Sequence, residues 1–173
     1  MLPDTAFSRV IDPWLIRIGK WTSVLWVILL IVIVSNVLLR YAFDMGRIEF
    51  EEIQWHLYSM GFLLGMSSAY QADAHIRVDV LHERFSPSLQ AWLELYGIVL
   101  FLIPFTLVVL IFSVPFVIAS FELGEISQAP GGLPFRWAIK AVLPIGFFLL
   151  LLAACSRLTR VWAFLSVGDR DGA

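Results

Sequence analysis

The feature that most constrains this chain is the run from Trp21 to Leu39, which contains nineteen residues and no charged side chain. At ~1.5 Å per residue, an α-helix of this length covers roughly 30 Å, the thickness of the hydrocarbon core of a bilayer. Of the 173 residues, 60% are hydrophobic and 15% are charged, whereas about 25% of a soluble domain is charged. The sequence therefore predicts an integral membrane protein.

Three more apolar stretches follow, and together they predict an all-α integral membrane protein with four transmembrane helices. The expected spans lie at about 21–39, 52–70, 92–119 and 137–156. The third stretch is longer than one crossing requires, and Pro104 and Pro115 are its expected kink points. We expect residues 1–173 to form a single membrane domain.

The segment 5–20, before the first span, carries apolar residues at helical spacing. They are Phe7, Val10, Ile11, Trp14, Leu15 and Ile18. This stripe predicts a separate N-terminal amphipathic helix lying on the bilayer surface, with Trp14 at the level of the headgroups. We expect Asp12-Pro13 to break or restart this helix. The alternative is a cytosolic extension of the first span.

The second span opens with two adjacent acids, Glu51 and Glu52, and carries small residues on one face. That face holds Gln54, Tyr58, Gly61, Gly65, Ser68 and Ala72. Small residues let two helix backbones approach closely in lipid, so this face predicts a packed helix without identifying its partner. Glu52 and His56 are one helical turn apart, a spacing that permits a pair.

A polar segment after the second span, His75-Ile76-Arg77-Val78-Asp79, alternates polar and apolar residues. If extended, it places His75, Arg77 and Asp79 on one side, and Ile76 and Val78 on the other. We predict a docking or fold-fixing element against membrane or protein. His75, Asp79, His82 and Glu83 also suggest zinc, but their spacing matches no helical HExxH or CxxC-type motif.

The distribution of Lys and Arg predicts that both termini are cytoplasmic. Eight of them fall on the side of the termini, namely Arg9, Arg17, Lys20, Arg77, Arg84, Arg157, Arg160 and Arg170. Four fall on the opposite side, namely Arg40, Arg47, Arg136 and Lys140. The expected location is the cytoplasmic (inner) membrane of a bacterium or archaeon, with the loops at 40–51 and 121–136 facing outward.

The sequence gives little support for catalysis or for a cofactor. Cys155 is the single cysteine and has no evident base nearby in sequence. His56 is the single histidine within a predicted span, whereas haem ligation between helices typically takes a facing pair. Spans one, three and four carry no charge at their centres, where an ion-coupled carrier would usually place one. We therefore expect a non-enzymatic chain without cofactor, metal or substrate site, which works with a partner.

The second span and the following loop resemble the small membrane subunit of tripartite ATP-independent periplasmic (TRAP) transporters, the DctQ-like family. The resemblance is carried by Glu51-Glu52, by Gly61 and Gly65, and above all by His75-Ile76-Arg77-Val78-Asp79. It covers about residues 20–160. It implies interface or structural roles for Glu51, Glu52, Gly61, Gly65 and each residue of the segment from His75 to Asp79. The residue pattern of the second span adds His56 and Ser68 as candidates for such roles.

The resemblance also implies a function. In this family a small permease subunit, itself non-catalytic, scaffolds a large DctM-like subunit. The large subunit performs secondary active transport as a symporter, taking up sodium together with an organic acid or similar solute. A DctP-like periplasmic binding protein delivers that solute.

Two functions of other classes stay open at this stage. One is a haem- or quinone-associated membrane anchor subunit, which a haem Soret band in the purified protein would indicate. The other is a small autonomous ion-coupled exporter, which solute flux through the reconstituted chain alone would indicate.

Overall fold

A computed structural model describes residues 2–74 and 85–168, and all regular structure within these two ranges is helical. The helices are α1 (Ala6–Phe43), α2 (Ile48–Gln71), α3 (Pro87–Gly97), α4 (Ile103–Glu122) and α5 (Arg136–Gly168), with a π-helical turn, Ile98–Leu102, joining α3 to α4. The prediction of an all-α fold is confirmed for the described part of the chain.

Among the residues that the structure describes, three helical units are long and apolar enough to cross a membrane: Ala6–Phe43, Pro87–Glu122 and Arg136–Ser166. The helix α2 is 24 residues long, but it carries Glu49 and Glu51 in its first turn and is less apolar. Its assignment as a fourth span therefore stays a prediction.

The helix α1 runs unbroken for 38 residues with Pro13 inside it, so the expected break at Asp12-Pro13 is wrong. The predicted separate N-terminal helix over 5–20 is also wrong, because residues from Ala6 onward are continuous with the first span. Proline removes one backbone donor and strains the preceding turn. Contacts on both sides of Pro13 nevertheless hold the helix together: Asp12 accepts a hydrogen bond from Ser156 of α5 at 2.5 Å, and Leu15 is 1% exposed. The position of residues 5–20 on the membrane surface stays a prediction.

The helix α5 is the centre of the bundle. It packs against α2 and α4 over much of its length, and also against α1 and α3. The helices α1 and α2 form an antiparallel hairpin, in which Gly19 lies against Ser68 and Gly61 against Trp26. A small core at one end of the bundle joins Ala91 and Leu95 of α3 to Val161 of α5.

Two helices bury every seventh residue. On α1 these are Ser8, Leu15, Thr22, Leu29 and Asn36. On α4 they are Thr106, Ser113 and Ser120. A seven-residue repeat is typical of left-handed helix packing, and hydroxyl residues permit close approach in lipid. The other faces of α4 are apolar and exposed in the single chain, as Phe112 is at 72%.

The π-helical turn Ile98–Leu102 lies immediately before one of the two predicted kink points. The N–H of Ile103 bonds to the carbonyl of Ile98, five residues back. Pro104 has no N–H to continue an α-helical ladder, and such interruptions are often resolved as single π turns. The second proline, Pro115, lies inside α4, which continues past it to Glu122.

Candidate functional site

Polar contacts between distant parts of the chain gather at the two ends of the bundle. At one end, residues of the loop between α4 and α5 bond to α2, and we call Glu52, Ser127 and Leu133 the loop clamp. At the other end, charged residues join α1, α3 and α5. There we call Asp12, Ser156, Glu94 and Arg157 the terminal clamp.

The loop clamp is built on the carboxylate of Glu52. It accepts a hydrogen bond from the backbone N–H of Leu133 at 2.5 Å and a second from the Ser127 hydroxyl. The N–H of Ser127 in turn donates to the Leu133 carbonyl at 3.2 Å. A Cβ at Gly132 would lie 2.5 Å from the Ser127 side chain and 2.9 Å from Glu52 Oε1. The clamp therefore requires glycine at position 132.

A second carboxylate, that of Glu125, fixes the same loop to the ends of α4 and α5. It accepts a hydrogen bond from the Ser120 hydroxyl at 2.6 Å and another from Lys140 Nζ. Arg136 Nε lies 3.7 Å from its other oxygen. The hydrogen bonds from Lys140 and then from Ser120 lower the pKa of Glu125 below its ordinary value. The ionised carboxylate is thus the form that the loop stabilises.

The other polar residues at this end of α2 have separate partners. Glu51 pairs with Arg40 of α1 at 2.7 Å. His56 Nδ1 lies 2.5 Å from the backbone oxygen of Glu52, rather than against the carboxylate, which bonds to the loop. Glu52 and His56 also line a cavity of about 250 Å³, together with Trp55, Ser59, Ser127, Leu133, Arg136 and Ile139.

The small face of α2 is turned towards α1. A Cβ at Gly61 would lie 3.1 Å from the Trp26 ring, and one at Gly65 would lie 3.7 Å from Thr22 Cγ2. Ser68 lies directly against Gly19 of α1, and a Cβ added at Gly19 would be 2.5 Å from the Ser68 side chain. The Ser68 hydroxyl donates a hydrogen bond to the Gly65 carbonyl at 2.8 Å. The helix that packs against this small face, which the sequence did not identify, is therefore α1 of the same chain.

The terminal clamp holds the N-terminal part of α1 and all of α3 to α5. Asp12 accepts from Ser156 at 2.5 Å, and Arg157 Nε donates to Glu94 at 2.5 Å. Arg157 Nη2 also lies 3.6 Å from Asp73, beyond the end of α2. The arginine therefore links three parts of the chain.

Sequence reasoning missed most of both clamps. It identified Glu52 but not its partners, because Leu133 contributes a backbone N–H and Ser127 lies in a loop without a motif. One signal was present: Glu94 and Arg157 have opposite charges and lie at the same predicted membrane boundary, where a pair between spans is favourable.

The segment from His75 to Asp79, with Ile76, Arg77 and Val78, lies outside the described residues, as do His82 and Glu83. Within 2–74 and 85–168, no three His, Cys, Asp or Glu side chains group as metal ligands. The described polar residues hold neighbouring elements together: their carboxylates bind loop amides, hydroxyls and cationic side chains of other elements.

Comparison with known proteins identifies the family. A search of curated proteins gives no match. The family model of the DctQ component of tripartite ATP-independent periplasmic transporters matches residues 29–164, well over half of the chain. The match includes α2, α3, α4 and both sides of the loop clamp, and it confirms the resemblance drawn from the sequence. The chain is a member of the DctQ family, the small permease subunits of these transporters.

Proposed function

We propose that this chain is a non-catalytic scaffold for a large DctM-like subunit, which performs sodium-coupled uptake of an organic acid or similar solute. A DctP-like periplasmic binding protein would deliver that solute to the assembled complex. Membership of a component family of tripartite transporters supports both partners.

The observation that carries the scaffold proposal is the clamping of the bundle at both ends. The loop clamp joins α2 to the α4–α5 loop. The terminal clamp joins α1 and α3 to α5. A helix fixed at both ends resists sliding against its neighbours. Such a rigid bundle is suited to be the static scaffold against which a transport domain moves. The exposed apolar side of α4 offers area for contact with a large membrane subunit.

The proposed topology has four spans with both termini in the cytoplasm of a bacterium or archaeon. In this arrangement α2 is the remaining span, and the loop clamp lies at the outer face of the inner membrane. Packing of α2 between α1 and α5, both of which are apolar enough to cross a membrane, supports a membrane position for α2. The apolar residues of 5–20 would then lie at the inner surface.

We also propose that the segment from His75 to Asp79 is a cytoplasmic docking or fold-fixing element. Its neighbour in sequence, Asp73, contacts Arg157 of the terminal clamp at 3.6 Å. That contact places Asp73, two residues before the segment, against α5. Arg77 and Asp79 would supply charge-assisted hydrogen bonds to helix ends.

Reconstitution of the transporter from separately purified parts tests the scaffold proposal. Proteoliposomes with this chain alone should show no sodium-dependent organic-anion uptake. Addition of its DctM-like large subunit and of the binding protein should produce uptake. The Asp79→Ala variant should lower co-purification with the large subunit, whereas Glu122→Ala, at the exposed C-terminal end of α4, should leave it unchanged.

Uptake by the chain alone would contradict the scaffold proposal and favour an autonomous carrier. Full uptake by the large subunit and binding protein without this chain would show that no scaffold is needed. Unchanged assembly of Asp79→Ala would remove the docking role of the segment while leaving the scaffold proposal intact.

A further inference from the structure

Arg160, near the C-terminal end of α5, has hydrogen-bonding capacity that the described part of the chain does not use. Its Nη2 lies 3.4 Å from the Leu2 carbonyl and 3.7 Å from Asp4, and its Nη1 lies 3.5 Å from Asp12. Its Nε is buried without a partner. Strong hydrogen bonds between a guanidinium and an oxyanion measure about 2.7–2.9 Å. The two Nη atoms, whose contacts are all 3.4 Å or longer, are thus available to a further acceptor, whereas the buried Nε is not.

The neighbouring Arg157 shows the contrast. It bonds to Glu94 at 2.5 Å, and it is buried to a similar degree, at 13% exposed against 20% for Arg160. Buried donors without partners are rare in folded proteins because each costs the hydration that it has lost. The incomplete bonding is therefore a property of Arg160 and not of this end of α5 in general.

A cavity of about 530 Å³ opens beside Arg160, between the N-terminal segment, α3 and α5. Its charged lining consists of Asp4, Asp73, Glu94, Arg157 and Arg160, and its apolar lining includes Leu2, Ala91 and Phe164. Arg157 contacts both Glu94 and Asp73, whereas Arg160 lies beside Asp4, which is 68% exposed. Arg160 and Asp4 therefore form a separate cation and anion, side by side at the edge of an apolar surface. The volume suffices for a phospholipid headgroup.

A second cavity, of about 350 Å³, lies next to the first along α3. It is lined by Leu93, Gly97, Ile98 and Leu102, and it shares Gln90 and Glu94 with the first cavity. A Cβ at Gly97 would meet nothing within 4 Å, so the groove is open there. This groove belongs to a helical unit apolar enough to cross a membrane, where acyl chains are the surrounding solvent.

We propose that these two cavities bind one zwitterionic phospholipid, with its phosphate at Arg160, its primary ammonium at Asp4 and an acyl chain along α3 past Gly97. The close opposite charges of Arg160 and Asp4 complement a phosphate and an ammonium on one headgroup. An anionic lipid without an ammonium would satisfy Arg160 but would bring a negative headgroup against Asp4. The proposal goes beyond the transport function and requires only that the chain lies in a membrane.

Native mass spectrometry of the full-length chain in detergent tests the site. The probes are dioleoyl phosphatidylethanolamine, dioleoyl phosphatidylglycerol with the same acyl chains, and inorganic phosphate. The variants are Arg160→Gln, Gly97→Leu, which fills the groove and leaves the headgroup residues intact, and Arg9→Gln, a control on the exposed side of α1. Gly97 has ordinary helical backbone angles, so leucine fits the local fold.

We expect one phosphatidylethanolamine molecule to bind the wild-type chain more tightly than phosphatidylglycerol does. Arg160→Gln should weaken this binding by about tenfold or more, the scale of a lost charge-assisted hydrogen bond. Gly97→Leu should also weaken it, and Arg9→Gln should not. Size-exclusion elution and helicity identical to wild type establish that each variant is folded.

Three results would overturn the proposal. If the Arg160→Gln variant binds phosphatidylethanolamine as tightly as the wild type does, Arg160 does not bind the headgroup. Equal losses in Arg160→Gln and Arg9→Gln would indicate attraction to surface charge in general. Displacement of the lipid by inorganic phosphate, with no effect of Gly97→Leu, would identify a free oxyanion as the ligand. If Arg160→Gln fails to fold, Gly97→Leu alone still decides whether an acyl chain occupies the groove.

Discussion

The closest approach between α2 and α5 depends on Gly146, and replacing it with alanine should destabilise the bundle. A Cβ at this position would lie 2.7 Å from the backbone oxygen of Leu63 and 3.0 Å from its carbonyl carbon. Backbone atoms cannot rotate away as a side chain can. To restore an ordinary contact of about 3.5 Å, the two helices must separate by about 0.8 Å.

Two opposing effects set the magnitude for Gly146→Ala. Alanine favours the helix over glycine by about 0.5–1 kcal/mol, whereas overpacking costs about 1–3 kcal/mol. Because the clash is with backbone atoms, we take the upper part of the overpacking range, about 2–3 kcal/mol, against a helix gain of about 1 kcal/mol. The free energy of unfolding should therefore fall by about 1–2 kcal/mol. Gly65→Ala is the matched control, because its Cβ would meet only Thr22 Cγ2 at 3.7 Å, an ordinary contact. That variant should be unchanged or more stable by up to about 1 kcal/mol.

Thermal unfolding of the purified full-length chain in detergent measures the difference. With about 2–4 °C per kcal/mol for a chain of this size, Gly146→Ala should lower the Tm by about 2–8 °C. Gly65→Ala should leave the Tm unchanged or raise it by up to about 4 °C. A Gly146→Ala variant as stable as wild type, or equal losses in both variants, would refute the reasoning from the α2–α5 contact.

Three further predictions concern the loop clamp, its pH dependence and the topology. Glu52→Gln should speed hydrogen–deuterium exchange in the peptide covering 123–135, because the amide lacks the charge that strengthens the bonds to Leu133 and Ser127. The control variant Glu51→Gln should leave this exchange unchanged. Equal exchange in both variants would contradict the loop clamp. The lowered pKa of Glu125 means that its stabilising effect is full above its ordinary value of 4.5 and is lost as pH falls below it. The Tm of wild type should therefore drop more steeply below pH 4.5 than that of Glu125→Gln, and parallel curves would count against this role. In a Cys155→Ser background, an impermeant thiol reagent should label Leu123→Cys but not Ala6→Cys in intact cells, and the reverse pattern would invert the proposed orientation.

The sequence predicted the elements that local chemistry determines. The uncharged run 21–39 lies within α1, and the stretch 137–156 lies within α5. The start of α3 also follows from local residues, since Ser86 accepts a hydrogen bond from the Leu89 N–H at 3.3 Å and Pro87 occupies the first turn. In these cases the deciding interactions lie within a few residues of one another.

Features that depend on distant contacts were not predictable in this way. The helix continues through Asp12-Pro13 because Ser156, 144 positions later, holds Asp12. The Leu133 N–H that bonds to Glu52 lies 81 positions away and carries no side-chain signature. The buried hydroxyl residues at 106, 113 and 120 were a detectable signal, because their seven-residue spacing in an apolar helix marks a packing seam.

The central position of α5 also determines the order in which this chain can assemble during synthesis. The ribosome delivers α1 and α2 first, and their glycine contacts are local enough to close into a hairpin at once. Glu94 of α3 and Asp12 of α1 have hydrogen-bond partners on α5, and α4 packs against it, yet α5 is the last of the five described helices to be synthesised. A nascent chain that stops before α5 therefore leaves α4 without the helix it packs on and two acids at the membrane boundary without their bonds. The helices α1, α3 and α4 therefore reach their final contacts in the bundle only once α5 is in place.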